Sequence, residues 1–489
     1  MYKNRNIEVF PVAIGNEEET GMLIDHGEGF DEPYSLVERV SHYIPSKLHY
    51  HDQFLSNGAK IYAGGSGDEI KGQTNLERAT AECTTIDQFV HRIRANEQLL
   101  VDIAESYASS VSEQSAHPNV DVRIQRRVVD TNGNRKGCHD NLCINPLAID
   151  ASLTDAFLLN NAVLSHLANR NVITGAGVLH ADGSFDLSQK VGGLSKVEGY
   201  GYKGTMYRLA REATDHRLEI RCNDVNLSDW AIRQRIGGTA LALAISATPL
   251  RDSITTEPRE HDYYSNSAIQ KNRTFLSPDG EIIPSPVQKR SIEHQKHIAL
   301  IALADLQEFT GKLSDELEQC AIEALQFCND AELVFGGDAP VELLADRADW
   351  AAKLHRIQQA IQEDKDFGFK REVGDVAYRA IDLKYDHIAI RAVKGSVRTR
   401  RGYGYKLRDS GAFKSTAIQE QIDRAYYQPP ESTRAITRAT LLKTIPNITN
   451  VDWSIIRYEE NAFSKYTIDL GGVIPPQVPT IEQEESPKL

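Results

Sequence analysis

The sequence predicts an α+β protein, because strand patterns and long helical patterns are interleaved without a regular strand–helix–strand repeat. Segments 120–125 and 217–222 alternate apolar and polar residues, which is typical of strands with one buried face. Segment 86–109 instead has apolar residues at helical spacing, beginning with Ile86 and Phe89. The two periodicities together indicate helices packed against a sheet rather than a doubly wound parallel fold.

The composition is that of a soluble globular protein, and it excludes one broad class of function. The 489 residues suffice for a large domain and a small one, and 40% of them are hydrophobic. Lys and Arg number 55 against 69 Asp and Glu, which gives a net charge of −14. Nucleic-acid binding needs a basic face, so we do not expect a general nucleic-acid binder, although one local basic groove is compatible with this charge.

Several absences from the sequence favour a cytoplasmic protein. The weakly polar stretch 237–250 is shorter than the ~20 residues that a membrane-spanning helix needs. The first residues contain no apolar segment of a secretory signal. The six cysteines are sparse and include no C-x-x-C pair, so we expect reduced thiols and no structural zinc.

The first half of the chain predicts three strands and two helices. In chain order they are strands 12–19, 60–63 and 120–125 and helices 86–109 and 153–167. Side chains alternate along a strand, so Glu17 and Glu19 share one face of the first strand. The second strand follows Asn57-Gly58, a common hairpin turn signal.

The second half begins with the strand 217–222 and is then mostly helical. The predicted helices are 230–247, 291–309, 314–327 and 341–361. Ser228 and Asp229 form an N-cap signal for the first of them. The run 391–408 is rich in cations and interrupted by glycines, and it is either a solvated loop or a segment that binds phosphate or an acidic tail.

Acidic residues recur on or beside the predicted strands in a pattern that suits a metal site. Glu17 and Glu19 share a face, Glu77 and Glu82 flank the segment 78–81, and Glu219 stands between two arginines. Converging carboxylates repel one another unless cations neutralise them, and clusters of oxygen ligands suit Mg²⁺. The alternative is that each carboxylate is solvated or paired locally.

Three other segments leave a structural and a functional interpretation open. Segment 64–67 lacks the Lys-Ser/Thr of a phosphate-binding P-loop, so a flexible loop is the simpler interpretation. Segment 137–141 (GCHDN) either lines a polar site or is a capped loop. Trp453 either packs in the core or stacks on adenine.

Taken in order, these segments resemble the family of Pup ligases and Pup deamidases (depupylases), relatives of glutamine synthetase and the carboxylate–amine ligases. The parallels are GNEEETG with the family pattern G-I-E-T-E-x-G, NGAKIY with N-G-A-R-x-Y, ATAEC, GCHDN with G-C/T-H-E-N, RLEIRCNDVNLSD with R-L-H-V-x-x-G-D-x-N-x-x-E, IDLKYDHI, QPPESTRAITR and VDW. Each motif is short, but their order and spacing extend across most of the chain, from Ile14 to Trp453.

The resemblance implies a glutamine-synthetase-like fold with a curved antiparallel β-sheet cradle, packed with helices and closed at one end by a small C-terminal domain. We therefore expect a catalytic domain over 1–425 and a C-terminal domain over 426–474, with the boundary near Pro429-Pro430. Segment 475–489 is rich in Pro and Glu and is predicted to be a disordered tail.

The resemblance also implies an activity. The family's ligases phosphorylate the C-terminal glutamate side chain of the small modifier Pup and join it to a lysine, whereas its deamidases hydrolyse the same type of bond. We expect an ATP- and Mg²⁺-dependent ligase whose partners are a small acidic Pup-like modifier, or another carboxylate substrate, and an amine donor such as a target-protein lysine. The alternatives are an ATP-binding amidase or isopeptidase and a nucleotide-binding pseudoenzyme.

Carried over motif by motif, the resemblance assigns roles to individual residues. The implied metal residues are Glu17, its neighbour Glu19 on the strand face, Tyr62, Glu77, Glu82 and Glu219. The implied nucleotide-binding residues are Lys60, Thr80, Arg217, Arg434 and Trp453.

The chain departs from the family pattern at the position of the catalytic aspartate. The family has R-x-Y-x-D, but here the residue two positions after Tyr62 is Gly64. The following insertion contains Asp68 and Glu69, and we expect Asp68 to act as the substitute. Glu219 also replaces a family His, and Lys60 replaces an Arg, which exchanges a bidentate fork for a point charge.

The features that indicate a branch of the family do not all agree. The short distance from Gly21 to Asn57 lacks the extra loop of deamidases and favours a ligase. Segments 348–354 and 467–472 look more like those of deamidases. A divergent third branch with its own modifier is therefore a further interpretation.

Overall fold

The computed structural model describes residues 13–27, 30–31, 34–37, 43, 46–49, 52–64, 73–114, 117–129, 136–144, 161–190, 196–198, 205–211, 216–250, 253, 273–278, 280–431, 433–461, 464–470 and 480–483. Within these ranges helices and mainly antiparallel sheets alternate along the chain, which confirms the α+β class. None of the helices that the structure describes is long and apolar enough to cross a membrane.

The strands fall into a large sheet and two small ones. In chain order they are β1 (Ala13–Asp25), β2 (Phe30–Asp31), β3 (Ser46–His49), β4 (Asp52–Leu55), β5 (Lys60–Gly64), β6 (Gln73–Ala79), β7 (Asn119–Gln125), β8 (Cys138–Ile144), β9 (Val178–Leu179), β10 (Ser184–Asp186), β11 (Lys196–Glu198), β12 (Thr205–Arg211), β13 (His216–Ile220), β14 (Arg273–Leu276), β15 (Ile282–Ile283), β16 (His387–Val393), β17 (Ser396–Arg401), β18 (Ile448–Val451), β19 (Ile455–Asn461), β20 (Ser464–Asp469) and β21 (Thr480–Gln483).

The helices pack mainly against the large sheet and against one another. In chain order they are α1 (Tyr34–Val37), α2 (Ile86–Ser112), α3 (Asn161–Asn169), α4 (Asn171–Thr174), α5 (Asp229–Ser246), α6 (Pro286–Ala304), α7 (Gln307–Thr310), α8 (Asp315–Gly336), α9 (Asp349–Asp366), α10 (Val376–Leu383), α11 (Tyr403–Asp409), α12 (Gln419–Tyr427) and α13 (Arg434–Thr444), with a 3₁₀ turn at Val341–Leu344 before α9.

The large sheet is built around β1. Thirteen strands of the described part of the chain form it, and its main order is β11-β12-β13-β8-β1-β6-β5-β4-β3. The β1 strand pairs with β6 on one side, and on the other with β8 along its first half and β7 along its second half. The β7 strand continues the sheet to the hairpin β16–β17. The pair β11–β12 is parallel, and the other strand pairs of this sheet are antiparallel.

The burial of β1 alternates strictly, which gives the sheet two faces of different character. Odd-numbered residues such as Glu17 and Glu19 are half-buried, whereas even-numbered residues such as Ile14, Glu18 and Met22 are buried. We call the first the site face and the second the helix face. On the helix face, the apolar side chains of the sheet pack against α2 and α5, whose N-caps Thr85 and Ser228 accept backbone N–H groups.

The predicted helices 86–109 and 230–247 match α2 and α5 within three residues at each end, whereas 291–309 and 314–327 correspond to α6 and α8 with ends shifted by up to five and nine residues. The N-cap predicted at Ser228 is confirmed, because its hydroxyl accepts from Ala231 N. The segment 341–361 is not one helix: it divides into the 3₁₀ turn and α9, whose first residue Asp349 is fully buried and accepts backbone N–H groups of Leu227 and Ser228. Of the segment 153–167, only residues from 161 lie in the described ranges.

The last part of the chain forms a separate four-stranded sheet, β18 to β21, with α13 against it. Its core contains Leu442, Val451 and Ile456 and also Phe54 of the large sheet. Thr480–Gln483 pairs with β20 although the sequence predicted no structure after residue 474. Its backbone hydrogen-bonds an existing strand, and that stabilisation depends little on its polar side chains. The domain bounds themselves stay a prediction.

The cationic run 391–408 is a hairpin and a helix rather than a loop. Its residues form the end of β16, all of β17 and most of α11. Arg391, Arg398 and Arg400 are exposed, whereas Arg408 is mostly buried and binds Glu97. The run therefore contains both a surface of cations and one cation that belongs to the interior.

Candidate functional site

Three strands bring ionisable side chains together at the middle of the site face. In the register of the sheet, Glu17 of β1 lies opposite His139 of β8, and Glu219 of β13 lies opposite Asn141, the next residue of β8 on this face. His139 Nδ1 is 3.2 Å from Glu17 Oε2 and 3.5 Å from Glu219 Oε1. One ligand atom from each of Glu17, His139 and Glu219 lies within 4.8 Å of the others, and we call these three residues the acidic cluster.

Charge around the acidic cluster determines the ionisation of Glu17. Burial by itself would raise the pKa of this carboxyl group, but the hydrogen bond and charge of His139, with the charges of Arg217 and Lys60, lower it below its ordinary value. Glu17 is thus ionised at neutral pH, as a carboxylate that binds a cation must be.

A second pair of carboxylates extends the cluster along β1. Glu19 lies directly opposite Glu77 of β6, and Glu77 lies opposite Tyr62 of β5. A Cβ atom on Gly137 would lie 2.6 Å from both Glu19 Oε1 and His139 Nε2, so a larger residue there would displace these two side chains. The glycine of the GCHDN motif therefore leaves room for Glu19 and His139 on this face.

Tyr62 and Lys60 lie on the neighbouring β5. The Tyr62 hydroxyl donates to Glu17 Oε1, and the Lys60 ammonium lies 4.7 Å from the centre of the Tyr62 ring. Gly64, which replaces the family aspartate, is the last residue of β5 and lies opposite Asn75. Asp68 and Glu69, the predicted substitutes, are outside the described residues.

Arg217, Arg221 and Asn141 surround the far side of the cluster. Arg221 Nε donates to Glu219 Oε1 at 2.7 Å, and Arg217 Nη1 donates to Asn141 Oδ1 at 2.9 Å. Arg217 Nη1 is also 4.0 Å from Glu219 Oε2, and its side chain is 38% exposed. Glu219 is therefore paired with cations of β13 and of the residue that follows it, while the Arg217 side chain keeps solvent access.

Glu82, predicted as a metal residue, lies apart from the acidic cluster and is bound by two arginines. Arg438 donates from Nη1 and Nη2 at 3.1 and 2.9 Å, and Arg434 donates from Nε at 3.0 Å. Burial would raise the pKa of Glu82, but the charge and hydrogen bonds of Arg438, and the charge of Arg434, lower it to about 2. This carboxylate connects the segment after β6 to α13.

Thr80 and Trp453 were predicted as nucleotide residues. Thr80 lies two residues before Glu82, and Trp453 contacts Arg438, which binds Glu82. Thr80 Oγ1 accepts from Asn16 N at 2.9 Å and so joins the end of β6 to β1. The Trp453 ring makes an edge contact with Phe54 at 5.2 Å, and the guanidinium of Arg438 lies 4.9 Å from it. Arg438 also donates to the Trp453 carbonyl at 2.7 Å, so the bound Glu82 fixes the position of this tryptophan.

Two residues of this face were absent from the predicted set. His139 was quoted within GCHDN, but its position beside Glu17 follows from the pairing of β8 with β1. Lys136 carried no signal: its ammonium lies over Gly21 on the site face, where a Cβ atom would be 2.0 Å away. A lysine that precedes a glycine in a loop is ordinary in sequence, and its position becomes evident only from the fold.

Comparisons with known proteins agree on one family. A family model described as Pup-ligase protein matches residues 25–457. The Pup–protein ligase of Acidimicrobium ferrooxidans is 24% identical over 434 residues, which cover 84% of this chain and 84% of that protein. The solved complex of the prokaryotic ubiquitin-like protein Pup with its ligase PafA matches with a TM-score of 0.70 and 20% identity, over 96% of this chain and 90% of that one.

A second solved structure, the Pup ligase PafA in complex with ADP, matches with a TM-score of 0.65 and 19% identity, over 92% of each chain. The matches to these two solved structures cover more than nine tenths of this chain. They agree with the mixed helical and antiparallel architecture of this chain.

The low pKa of Glu82 predicts a pH-dependent contribution to stability. The contribution is present above the ordinary pKa of 4.5 and is lost as the pH falls towards the folded-state value of about 2. Substitution Glu82→Gln should therefore lower the free energy of unfolding by roughly 3 kcal/mol at pH 7, at 1.36 kcal/mol per pKa unit. The difference from the wild type should shrink by roughly 1 kcal/mol at pH 3.5, measured by urea unfolding.

The matched control is Glu431→Gln, which removes the exposed pair of Glu431 with Arg424. This variant should change stability by less than about 1 kcal/mol at either pH, because exposed ion pairs contribute little. A Glu82→Gln difference that stays constant between pH 7 and pH 3.5 would show that the arginines do not hold this carboxylate ionised.

Proposed function

The chain belongs to the Pup-ligase protein family, and from this premise we propose that it is an ATP-dependent ligase. It joins the γ-carboxylate of a small acidic Pup-like modifier to an amine, such as a lysine of a target protein. The relatives compared above are named as ligases, which does not favour the amidase or the pseudoenzyme. The observation that supports this function most directly is the acidic cluster, in which Glu17, His139 and Glu219 converge at family motif positions.

The chemistry requires activation of a carboxylate by ATP. A carboxylate is a poor electrophile, because its charge is delocalised and its leaving group would be oxide. Transfer of the γ-phosphoryl group of ATP to the carboxylate creates a good leaving group, and the amine then displaces phosphate to form the amide. This reaction needs positive charge beside the phosphates and a base for the amine.

The residues of the site face fit a divalent cation. The acidic cluster supplies two carboxylates and one imidazole, and the further oxygen donors on the same face are Glu19, Glu77 and Tyr62. When bound, Mg²⁺ would offset the negative charge of the ATP phosphates. The low pKa of Glu17 supports this assignment, because the ligand is already ionised without the cation.

We assign the nucleotide to the cations and the tryptophan around this cluster. Arg217 and Lys60 carry charge close enough to Glu17 to lower its pKa, so they are also close enough to attract phosphate oxygens. Trp453 offers a half-buried aromatic surface next to Arg438, which shares Glu82 with Arg434. Thr80 completes the predicted set at the end of β6, within the segment that Glu82 anchors.

The hairpin β16–β17 and the adjacent strand β7 supply a docking surface for an acidic modifier. Residues paired across antiparallel strands point to the same face. Leu23 of β1 is on the site face and is paired with Arg123 of β7, so Arg123 is on that face too. The same register puts Arg391, Arg398 and Arg400 on that face through β16 and β17. We call these four exposed arginines the arginine face. It lies on the same face of the sheet as the acidic cluster, so we infer that a modifier bound there extends its last residue along the sheet towards Glu17.

The central experiment incubates the full-length protein with ATP, Mg²⁺ and a synthetic acidic modifier that ends in glutamate, together with a lysine-containing acceptor protein. We expect one ADP for each conjugate formed, followed by chromatography and intact mass. Cleavage of a preformed conjugate without net ADP formation would support the amidase. Nucleotide binding without any turnover would support the pseudoenzyme.

The same assay tests the proposed base. Asp68→Asn should lower the rate of conjugation by about 10²- to 10⁴-fold, the usual contribution of a general base, with little change in nucleotide affinity. The matched control is Glu69→Gln, which removes a neighbouring carboxylate of the same insertion. Full activity of Asp68→Asn, or an equal loss in the control, would exclude Asp68 as the substitute for the aspartate that Gly64 replaces.

The arginine face predicts a change in the affinity for the modifier. The double variant Arg398→Glu with Arg400→Glu should raise the KM for the modifier roughly tenfold and leave kcat unchanged, because the face attracts an acidic chain without touching the reacting atoms. The wild-type KM should also rise with salt concentration. Steady-state kinetics at two ionic strengths measure both effects.

The control for net charge is the double variant Lys312→Glu with Lys370→Glu, which changes charge equally at exposed positions outside the large sheet. Its KM should stay close to that of the wild type. An equal rise in both double variants would mean that overall charge, and not the arginine face, attracts the modifier.

A further inference from the structure

Glu18 lies between the two glutamates of the first motif but points to the opposite face of the sheet. Its side chain is 5% exposed, whereas that of Glu17 is 27% exposed. The family pattern has Thr at this position, so a buried carboxylate here is a feature of this chain. An ionised group in the interior requires partners, because its desolvation is costly.

The site face creates an unfavourable pairing that β1 and β6 must tolerate. Glu19 and Glu77 are directly opposite each other, and like charges at such positions destabilise the pairing of two strands. Glu17 adds a third carboxylate one position along the same face. The cations beside this face offset part of the repulsion, and contacts on the opposite face can further hold β1 in register with β6.

The helix face holds the compensating interaction at the adjacent position. Glu18 is directly opposite Arg78, and Arg78 Nη2 donates to Glu18 Oε1 at 2.8 Å. Arg78 also donates to Thr20 Oγ1 at 2.9 Å and to the Asn96 carbonyl of α2 at 3.1 Å. A slip of one residue would break these bonds and turn the carboxylates of the site face into the core.

Glu18 is also held from the other side of β1. Arg126, which follows β7, donates from Nε to Glu18 Oε1 at 2.6 Å and from Nη2 to Oε2 at 2.8 Å. Arg126 further contacts Glu97 of α2, which accepts two hydrogen bonds from Arg408 and Arg94 at 2.9 Å. Both carboxylate oxygens of Glu18 therefore accept hydrogen bonds from guanidinium groups, one on each side of β1.

We propose that Glu18 is a positioning residue for the cation-binding face, acting through its ion pairs with Arg78 and Arg126. These pairs hold β1 in the register that sets Glu19 opposite Glu77 and leaves Glu17 beside His139. Glu18 does not touch substrate or cation, since it points into the helix face. The proposal rests on the cation site of the proposed function, but not on ligase turnover.

The chain contains a matched control for a purely structural ion pair. Asp382 of α10 is as deeply buried as Glu18 and is also bound by two cations, Arg127 at 2.6 Å and Lys353 at 2.7 Å. It lies outside β1 and β6. Breaking either pair should destabilise the fold, but only the loss of the Glu18 pair should change the affinity for a cation.

The experiment measures Mn²⁺ binding to the full-length protein by the loss of the free-ion signal in electron paramagnetic resonance, without nucleotide or modifier. Glu18→Gln should raise the Kd for Mn²⁺ roughly tenfold, as changes behind metal ligands do. Asp382→Asn should lower the Tm about as much as Glu18→Gln does and keep the Kd within about twofold, because Asp382 shares no ion-pair partner with Glu18. An unchanged Kd in folded Glu18→Gln, or an equal rise in both variants, overturns the proposal.

A second variant covers the case in which Glu18→Gln does not fold. Glu18→Asp keeps the charge but shortens the side chain by one methylene, so the Kd should rise less than in Glu18→Gln and still more than in Asp382→Asn. A Glu18→Asp value equal to that of Asp382→Asn contradicts the positioning role. Wild-type protein that binds Mn²⁺ but forms no conjugate refutes the ligase and leaves this inference standing, whereas wild-type protein without Mn²⁺ binding refutes the inference.

Discussion

Negative charge on both faces of one strand is the constraint on which the site depends. β1 presents Glu17 and Glu19 on one face and Glu18 on the other, and each face would be unfavourable without cations. On the helix face, the cations are Arg78 and Arg126, fixed by α2 and by the end of β7. On the site face, His139, Lys60 and Arg217 partly neutralise the carboxylates and leave charge for a ligand. The protein thus satisfies the buried charge internally and keeps the half-buried charge for function.

A second buried ion pair, between Glu82 and Arg438, connects the C-terminal part of the chain to the large sheet. Arg438 is fully buried and binds Glu82, the Gly58 carbonyl and the Trp453 carbonyl. One guanidinium therefore connects the segment after β6, the turn before β5 and the segment after β18. Any ligand that contacts Trp453 and the strands β5 and β6 contacts groups that this arginine holds in fixed positions. Planar, bidentate binding explains why an arginine rather than a lysine suits this position.

Sequence periodicity predicted the strands β1, β5, β7 and β13 and most of the long helices. It also predicted the placement of Glu17 and Glu19 on a common face, because alternation along a strand is local. His139 was not selected, because its role depends on which strand pairs with β1, and pairing is a non-local property. Glu82 illustrates the opposite difficulty: its motif position suggested a metal, but the partners that neutralise it, Arg434 and Arg438, are more than 350 residues away. The strand Thr480–Gln483 was missed because edge pairing uses the backbone, which composition does not reveal.

The central claim is that this sheet activates a carboxylate by phosphorylation, and isotope transfer tests it most directly. The γ-carboxylate of the modifier's terminal glutamate is labelled with ¹⁸O, and the phosphate released during conjugation is analysed by mass spectrometry. The account predicts that one labelled oxygen appears in the phosphate for each conjugate, because the carboxylate oxygen that accepts the phosphoryl group leaves with it. Conjugation that releases only unlabelled phosphate would contradict the account.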